Sequence, residues 1–251
     1  MEKLDQLKSR WKRFLDNDIV YSFFTTPGAI IAACITFIAI TAAFAAPLIA
    51  PYNPFDPAQI SLWDGKLPPA WADGGSSAYL LGTDNQGRDM LSTILYGGRI
   101  SILVGIAAVF LGMLLGVTLG VISGYFGGFT DTIIMRIADV QLTIPGILVA
   151  ILINGIGRAA LPLELREEFA IYVVIVAIGL TDWPQFARVA RGATLVEAEK
   201  EYVQAAKLIG LPKFTIILRH ILPNTLRPVL VIATIGLALA IIAEATLSFL
   251  G

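Results

Sequence analysis

From Ile19 to Phe55 the chain carries no charged side chain. The same holds for residues 100–130, 140–157 and 169–181, and 228–251 contains a single acid, Glu244. In a bilayer every backbone polar group must be satisfied within its own segment, which leaves the helix as the structure for runs of this kind. About 20 apolar residues cross the hydrocarbon core, within a range of roughly 17 to 25. The first, second, third and last runs meet that length; the fourth does so only if Asp182 sits at the interface. The sequence therefore reads as an all-α membrane protein of five transmembrane helices. A first anchor covers 28–50, and further spans fall at about 100–124, 138–157, 168–187 and 226–250. With 56% hydrophobic and 15% charged residues, the composition sits well away from that of soluble domains.

Lys and Arg are shared unevenly between the connections. Five lie in 1–27, one in 125–137 and seven in 183–227, against three in 51–99 and two in 158–168. With five alternating crossings, thirteen cations fall on one side and five on the other. The positive-inside rule then places the N-terminal helix or tail (1–27) and the loop 188–225 in the cytoplasm, and 51–99 outside. Without a fourth span the seven-cation stretch would face outward, so the charge pattern argues for that span. Residues 100–251 read as one transmembrane domain. The first run follows a 27-residue polar lead and is too long for a signal peptide, so it reads as an uncleaved anchor. Cys34, inside it, has no second cysteine to pair with and no metal-ligand cluster around it; it reads as a small packing residue.

Gly112, Gly116, Gly120 and Gly124 recur every fourth residue, a smooth stripe along one helix that lets a neighbouring backbone come close. Asp139 and Glu244 lie near the ends of predicted spans. Each is a candidate pathway or interhelical residue, with simple interfacial placement as the alternative. In the external loop, Leu81-Gly-Thr-Asp-Asn-Gln-Gly-Arg-Asp89 predicts a turn and then a helix start, with Thr83 or Asp84 as N-cap. Pro145 and Gly146 predict a kink in the third span.

Within 183–227 the pattern becomes amphipathic. Tyr202, Ala205, Ala206 and Ile209 fall at i, i+3, i+4 and i+7, one apolar stripe on a helix, with Lys200, Glu201, Gln204 and Lys207 on the remaining surface. Gly210 stands where a left-handed cap closes a helix, and Pro212 starts another, predicted over 212–221 and stopping before Pro223. The result is a helix–turn–helix elbow. Two uses fit this periodicity equally: docking into a groove of another protein, or lying on the lipid surface.

The elbow resembles the EAA motif of permease subunits in binding-protein-dependent ABC importers: Glu-Ala-Ala, three residues, Gly, nine residues, Ile, one residue, Leu-Pro. This chain has Ala205, Ala206, Gly210, Leu222 and Pro223 at those positions, with Gln204 in place of the glutamate and His220 in place of the isoleucine. The segment Arg219-His-Ile-Leu-Pro-Asn224 is similar to the dipeptide, oligopeptide and nickel branch. So are Leu81–Asp89, Tyr96-Gly-Gly-Arg-Ile-Ser101 and the terminal Glu244-Ala-Thr-Leu-Ser-Phe-Leu-Gly251. The resemblance runs from about residue 20 to the end.

It implies a multi-pass permease of a bacterial or archaeal inner membrane that forms a pore with a second, homologous permease. Two cytoplasmic ATPase subunits carrying ATP and Mg would receive the elbow, a solute-binding protein outside would deliver di- or oligopeptides, and nucleic acid would have no part. ATPase coupling would fall to Tyr202, Gln204, Ala205, Ala206, Gly210, Leu222 and Pro223. Family members continue past this ending with an external turn and a sixth span, so the sequence reads as truncated and, as given, short of a complete pore. No cofactor, metal or catalytic residue is expected in this chain. The P-loop pattern GxxxxGK[ST] does not occur, and His220 alone makes a poor nickel site. A permease for nickel or another small solute is the alternative within the branch. An ion-coupled secondary transporter using Asp139 and Glu244 is the alternative outside it, and leaves the elbow unexplained. An intramembrane hydrolase lacks a metal motif, and Ser123 has no obvious base nearby in sequence.

Overall fold

The computed structural model describes residues 18–250. Most of the tail expected at 1–27 lies outside the described residues. Among these residues regular structure is helical, apart from an isolated bridge between Thr83 and Asp89. Two compact units divide the chain between Ile100 and Ser101.

In the first unit, α1 (Asp18–Thr25) ends where Thr25 and Thr26 hydroxyls donate back to the carbonyls of Tyr21 and Ser22. Pro27 then opens α2 (Pro27–Phe44), where its missing N–H is no loss. Ile31, Ile35, Phe37 and Ile38 stand exposed around α2, as on a lipid-facing helix. Cys34 is exposed there as well, so the packing role expected for it is not met within this unit. After α3 (Ala46–Ile49) the chain is irregular up to Asp89, with single 3-10 turns at Pro57–Gln59 and Leu62–Asp64.

That irregular segment is nonetheless tightly built. Lys66 N–H donates to the Asp84 carbonyl (2.9 Å) and Thr83 N–H to the Leu67 carbonyl (3.1 Å). Gly82 and Gly87 hold positive φ (79° and 75°), and a Cβ at Gly87 would stand 1.9 Å from the Ser61 carbonyl oxygen. The Asp84 carboxylate accepts from the N–H groups of Gln86 and Arg88 and from the Arg88 guanidinium. Burial pushes its acidity down, but those bonds to Arg88 and Gln86 outweigh burial and hold its pKa below the ordinary carboxylate value. The helix cap expected at Thr83 or Asp84 is instead Asp89. Its carboxylate accepts from the Ser92 N–H (2.8 Å) and hydroxyl (2.6 Å), and α4 (Met90–Phe126) begins with the next residue. Asp84 is taken up by its own turn.

From Ser101 the second unit holds the rest of α4, α5 (Gly128–Thr143), α6 (Gly146–Ala160), α7 (Arg166–Ala198), α8 (Glu201–Leu208), α9 (Lys213–Ile216) and α10 (Leu222–Leu250). A π turn over Ile217–Ile221 joins α9 to α10. α7 is the hub, packing against α5, α6 and α10. Among the described residues three helical stretches are long and apolar enough to cross a membrane: Pro27–Phe44, Met90–Phe126 and Lys213–Phe249. α5 and α6 make a fourth if they count as one span. The five spans expected thus become three or four on length and composition. The span expected at 138–157 is a corner of 97° between α5 and α6. Ile144 is extended there (φ −92°, ψ 132°), and Pro145 caps α6, since the residue before a proline is driven out of helical geometry. The span expected at 168–187 is part of the longer α7, which carries Asp182, Arg188 and Arg191 and buries its small residues against protein.

Two further boundaries differ from expectation. Pro223 does not stop the helix that precedes it, and the last span does not begin afresh near 226; 213–249 is one continuous helical run. The π turn shifts the hydrogen-bond register just before Pro223, so the proline falls in the first turn of resumed α-helix, where its missing N–H is tolerated.

Candidate functional site

The elbow is α8 with its two roots, the end of α7 and the π turn. α8 closes in a Schellman cap: Leu211 N–H bonds the Ala206 carbonyl and Gly210 N–H the Lys207 carbonyl, both at 3.1 Å. Gly210 holds φ 78°, and nothing lies within 4 Å of where its Cβ would stand. The backbone angle, and not space, demands glycine here.

The apolar stripe expected on α8 divides in two. Ala206 turns inward with Val203, packing on Ala198, Ile216 and Ile221, with Tyr125 and Leu211 at the edge. Tyr202, Ala205, Leu208 and Ile209 face outward, Leu208 at 87% and Ile209 at 75% exposure. Helical spacing marked 202, 205, 206 and 209 as one face; the elbow's own small core instead takes 206 from the edge of that stripe together with 203 beside it. Gln204 donates from Nε2 to the Ala198 carbonyl (2.9 Å), satisfying one of the last acceptors of α7, a bond that an ionised glutamate could not donate.

The root is a polar knot that the sequence did not single out. Glu197, 5% exposed, accepts at Oε1 from Asn224 Nδ2 (2.8 Å) and pairs at Oε2 with Lys200 (2.8 Å). Asn224 Nδ2 also reaches the Tyr202 hydroxyl (3.0 Å) and the His220 carbonyl (3.1 Å), so two N–H groups serve three acceptors. One amide thus joins the end of α7, the start of α8 and the start of α10. The His220 ring lies beside Tyr202, centroids 6.1 Å apart. Leu222 is half-buried and Pro223 exposed at the first turn of α10. The one sequence signal for the knot was an acid three residues before Lys200 in an otherwise amphipathic stretch.

Below the elbow, the four glycines of α4 lie against α7. A Cβ at Gly116 would fall 2.4 Å from the Trp183 carbonyl oxygen, and one at Gly120 2.4 Å from that of Ala187. At Gly124 the nearest atom is the Arg191 carbonyl oxygen (2.9 Å), and at Gly112 that of Gly179 (3.1 Å). The two backbones are therefore in near contact along more than three turns. At the same end, Asp131 takes a two-pronged ion pair from Arg191 (2.5 and 2.6 Å) and a hydrogen bond from Ser123. Ser123 does have a carboxylate partner after all, eight residues on, but that carboxylate is committed to a guanidinium.

Asp139 pairs with Arg188 at 2.6 Å with both side chains about half exposed. Glu244 is buried and accepts from Ser101 (2.7 Å) and Ser248 (2.8 Å), tying α4 to α10. Each acid is engaged by a neighbouring helix.

Residues 116–251 match the family model of the binding-protein-dependent transport system inner membrane component. A dipeptide transport system permease protein of Haemophilus influenzae is 39% identical over 224 residues, 89% of this chain and 72% of that protein. The corresponding protein of Escherichia coli K12 is 40% identical over 229 residues, 89% of this chain and 70% of its own length. A glutathione transport system permease protein of Pectobacterium atrosepticum is 37% identical over 244 residues, 96% of this chain and 71% of that protein. With an all-helical membrane architecture, a buttressed elbow and relatives aligned along nearly the whole chain, the protein belongs to the family of inner-membrane components of binding-protein-dependent transport systems.

Proposed function

We propose that this chain imports di- or oligopeptides as one permease of an ABC transporter, driven through α8 by ATPase subunits in the cytoplasm. The observation that carries this is the division of α8 into a fixed side and a free side. Val203 and Ala206 are locked into the elbow core, whereas Tyr202, Ala205, Leu208 and Ile209 present an apolar knob to the outside. A knob with a rigid root transmits a push; a helix lying loosely on lipid would not. Because the root joins α7 to α10 through Asn224, displacement of α8 moves both long helices together.

In this reading ATP and Mg bind to two partner ATPases, a second homologous permease completes the pore, and an external solute-binding protein supplies the peptide. Peptide as cargo is supported by relatives named for dipeptide and glutathione transport, the latter a tripeptide. The pairing of Asp139 and Glu244 with neighbouring helices leaves little for an ion-coupled mechanism to use.

Two neighbouring alanines separate coupling from folding. Ala205→Trp enlarges the exposed knob and is expected to abolish uptake of labelled dipeptide by whole cells while leaving membrane level and thermal unfolding unchanged. Ala206→Trp overfills the elbow core and is expected to cost about 1–3 kcal/mol of stability. A cysteine at position 205 should cross-link to a nucleotide-hydrolysing subunit. Full uptake by Ala205→Trp, with no such cross-link, would defeat the proposal.

A further inference from the structure

Beside the elbow runs an open groove of about 580 Å³, walled by α4 on one side and by the helical run from Lys213 on the other. Phe110, Leu114, Val117, Phe214, Leu218 and Leu222 give it an apolar surface. It continues past Phe126 and Lys213, which line both parts, into a second space of about 360 Å³ bounded also by Tyr125 and Lys207. No acidic residue lines either part. The two lysines come from different segments yet converge on one mouth. Lys207 Nζ lies 5.9 Å from the Tyr125 ring centre and Lys213 Nζ 5.7 Å from that of Phe126. Stacking over adjacent rings holds both ammonium groups near the end of α4. Among the described residues neither is in a salt bridge. Among the described residues Lys207 makes one hydrogen bond, a long one of 3.4 Å, to the Ala198 carbonyl.

We infer that this groove is a binding site for one anionic phospholipid, its acyl chain along α4 and its phosphate between Lys207 and Lys213. The walls are helices long and apolar enough to lie in a bilayer, so hydrocarbon is the solvent that meets the groove. From Phe110 to Phe126 the slot runs roughly 24 Å at 1.5 Å per residue. That exceeds the roughly 15 Å hydrocarbon depth of one leaflet, half of the bilayer core. Its mouth falls at Tyr125 and Phe126, an aromatic pair of the kind that marks the headgroup level. Two cations with no acid beside them favour a phosphate that carries net charge over a zwitterionic headgroup, as basic pockets between membrane helices do. A helix of another protein could fill the apolar slot, but would leave the dibasic mouth without a counter-charge. Occupancy would also brace the 213–222 segment against α4 next to the elbow root.

The test extracts the protein with its native bilayer in polymer discs, exchanges the loose lipid for phosphatidylcholine, and measures retained phosphatidylglycerol and phosphatidylethanolamine by mass spectrometry. The unaltered protein is expected to keep phosphatidylglycerol selectively. Lys207→Gln with Lys213→Gln should lower that retention about tenfold, and Lys207→Arg with Lys213→Arg should restore it. Leu218→Trp, which fills the slot without changing charge, should lower it as well, whereas Lys66→Gln in the external loop should not. A photo-reactive benzoyl-phenylalanine at position 214 should label lipid. Equal retention of the two lipids, unchanged retention in both the Gln pair and Leu218→Trp, or labelling of a protein chain alone would each overturn the assignment.

Discussion

Asn224 donates its side-chain amide to Glu197 at 2.8 Å, across 27 residues of sequence, and so pins the first turn of α10 to the last turn of α7. The same amide reaches Tyr202 on α8, so this one side chain fastens α7, α8 and α10 together.

Asn224→Leu removes that donor while leaving Glu197 buried with Lys200 alone. A lost hydrogen bond to a charged group costs about 1.5–3 kcal/mol. Asn224→Asp should be worse, because it sets a second carboxylate against the first. Thermal unfolding in detergent should rank the proteins as unaltered, then Leu, then Asp. Peptide uptake should fall in both variants even where membrane levels are matched. An Asn224→Asp protein as stable as the unaltered one would contradict the fastening.

The glycines of α4 should differ in tolerance according to what a Cβ would strike. At Gly116 and Gly120 it meets backbone at 2.4 Å, which cannot yield, and at Gly112 the nearest oxygen stands at 3.1 Å. Gly116→Ala and Gly120→Ala are expected to lose about 1–3 kcal/mol or more, and Gly112→Ala distinctly less. Melting temperatures of the three single variants decide this, and equal losses would mean that the α4–α7 approach is not as close as described.

Gly210 presents the opposite case. Its Cβ position is empty, so Gly210→Ala suffers only from the left-handed backbone, about 1–2 kcal/mol. Gly210→Asn should cost less, since asparagine enters that conformation more readily. Gly210→Pro, whose ring fixes a negative φ, should undo the Schellman cap and abolish uptake. Proteolytic nicking between 208 and 213 should rise in the order Asn, Ala, Pro; an indifferent Gly210→Pro would refute the cap's importance.

Acid should loosen the irregular segment before α4 through Asp84. Its folded pKa is held below the ordinary 3.8, so the carboxylate's contribution is in full force above that value and disappears as pH falls through the lower, folded pKa. Hydrogen exchange at the N–H groups of Gln86 and Arg88, both bound to this carboxylate, should therefore accelerate below about pH 4 relative to the intrinsic rate. Asp84→Asn should show fast exchange already at neutral pH and no such acid step. Constant protection across that range in the unaltered protein would count against the role assigned to Asp84.

Long-range architecture was legible wherever one residue type forces one outcome. Uncharged apolar runs could only be helices, four glycines at equal spacing could only be a smooth ridge, and Gly210 before Pro212 could only be a helix end. What stayed hidden depended on geometry between segments. Asp84 and Asp89 carry the same side chain five residues apart, and only the hydrogen bonds of the folded loop show which one caps α4. Pro145 was visible as a disturbance, but a mild bend and a corner of 97° read alike in a single chain. On α8 the short elbow core selects Val203 and Ala206, a choice that rests on where Ile216 and Ile221 arrive from another helix. Glu197 and Asn224 find each other only once α7 and α10 are side by side.

The wide turn at Ile217–Ile221 has a consequence for how such a chain can change length. A π turn holds one residue more than the α-helical turn it replaces, so deleting a single residue there would leave an ordinary helix. The elbow would keep its orientation, and the stretch from Leu222 onward would keep presenting the same sides to its neighbours. The same deletion a few positions along, inside α10, would rotate everything after it by about 100° and pull Glu244 away from Ser101. The turn is thus the one stretch of this helix where a residue can be lost without the two ends falling out of phase.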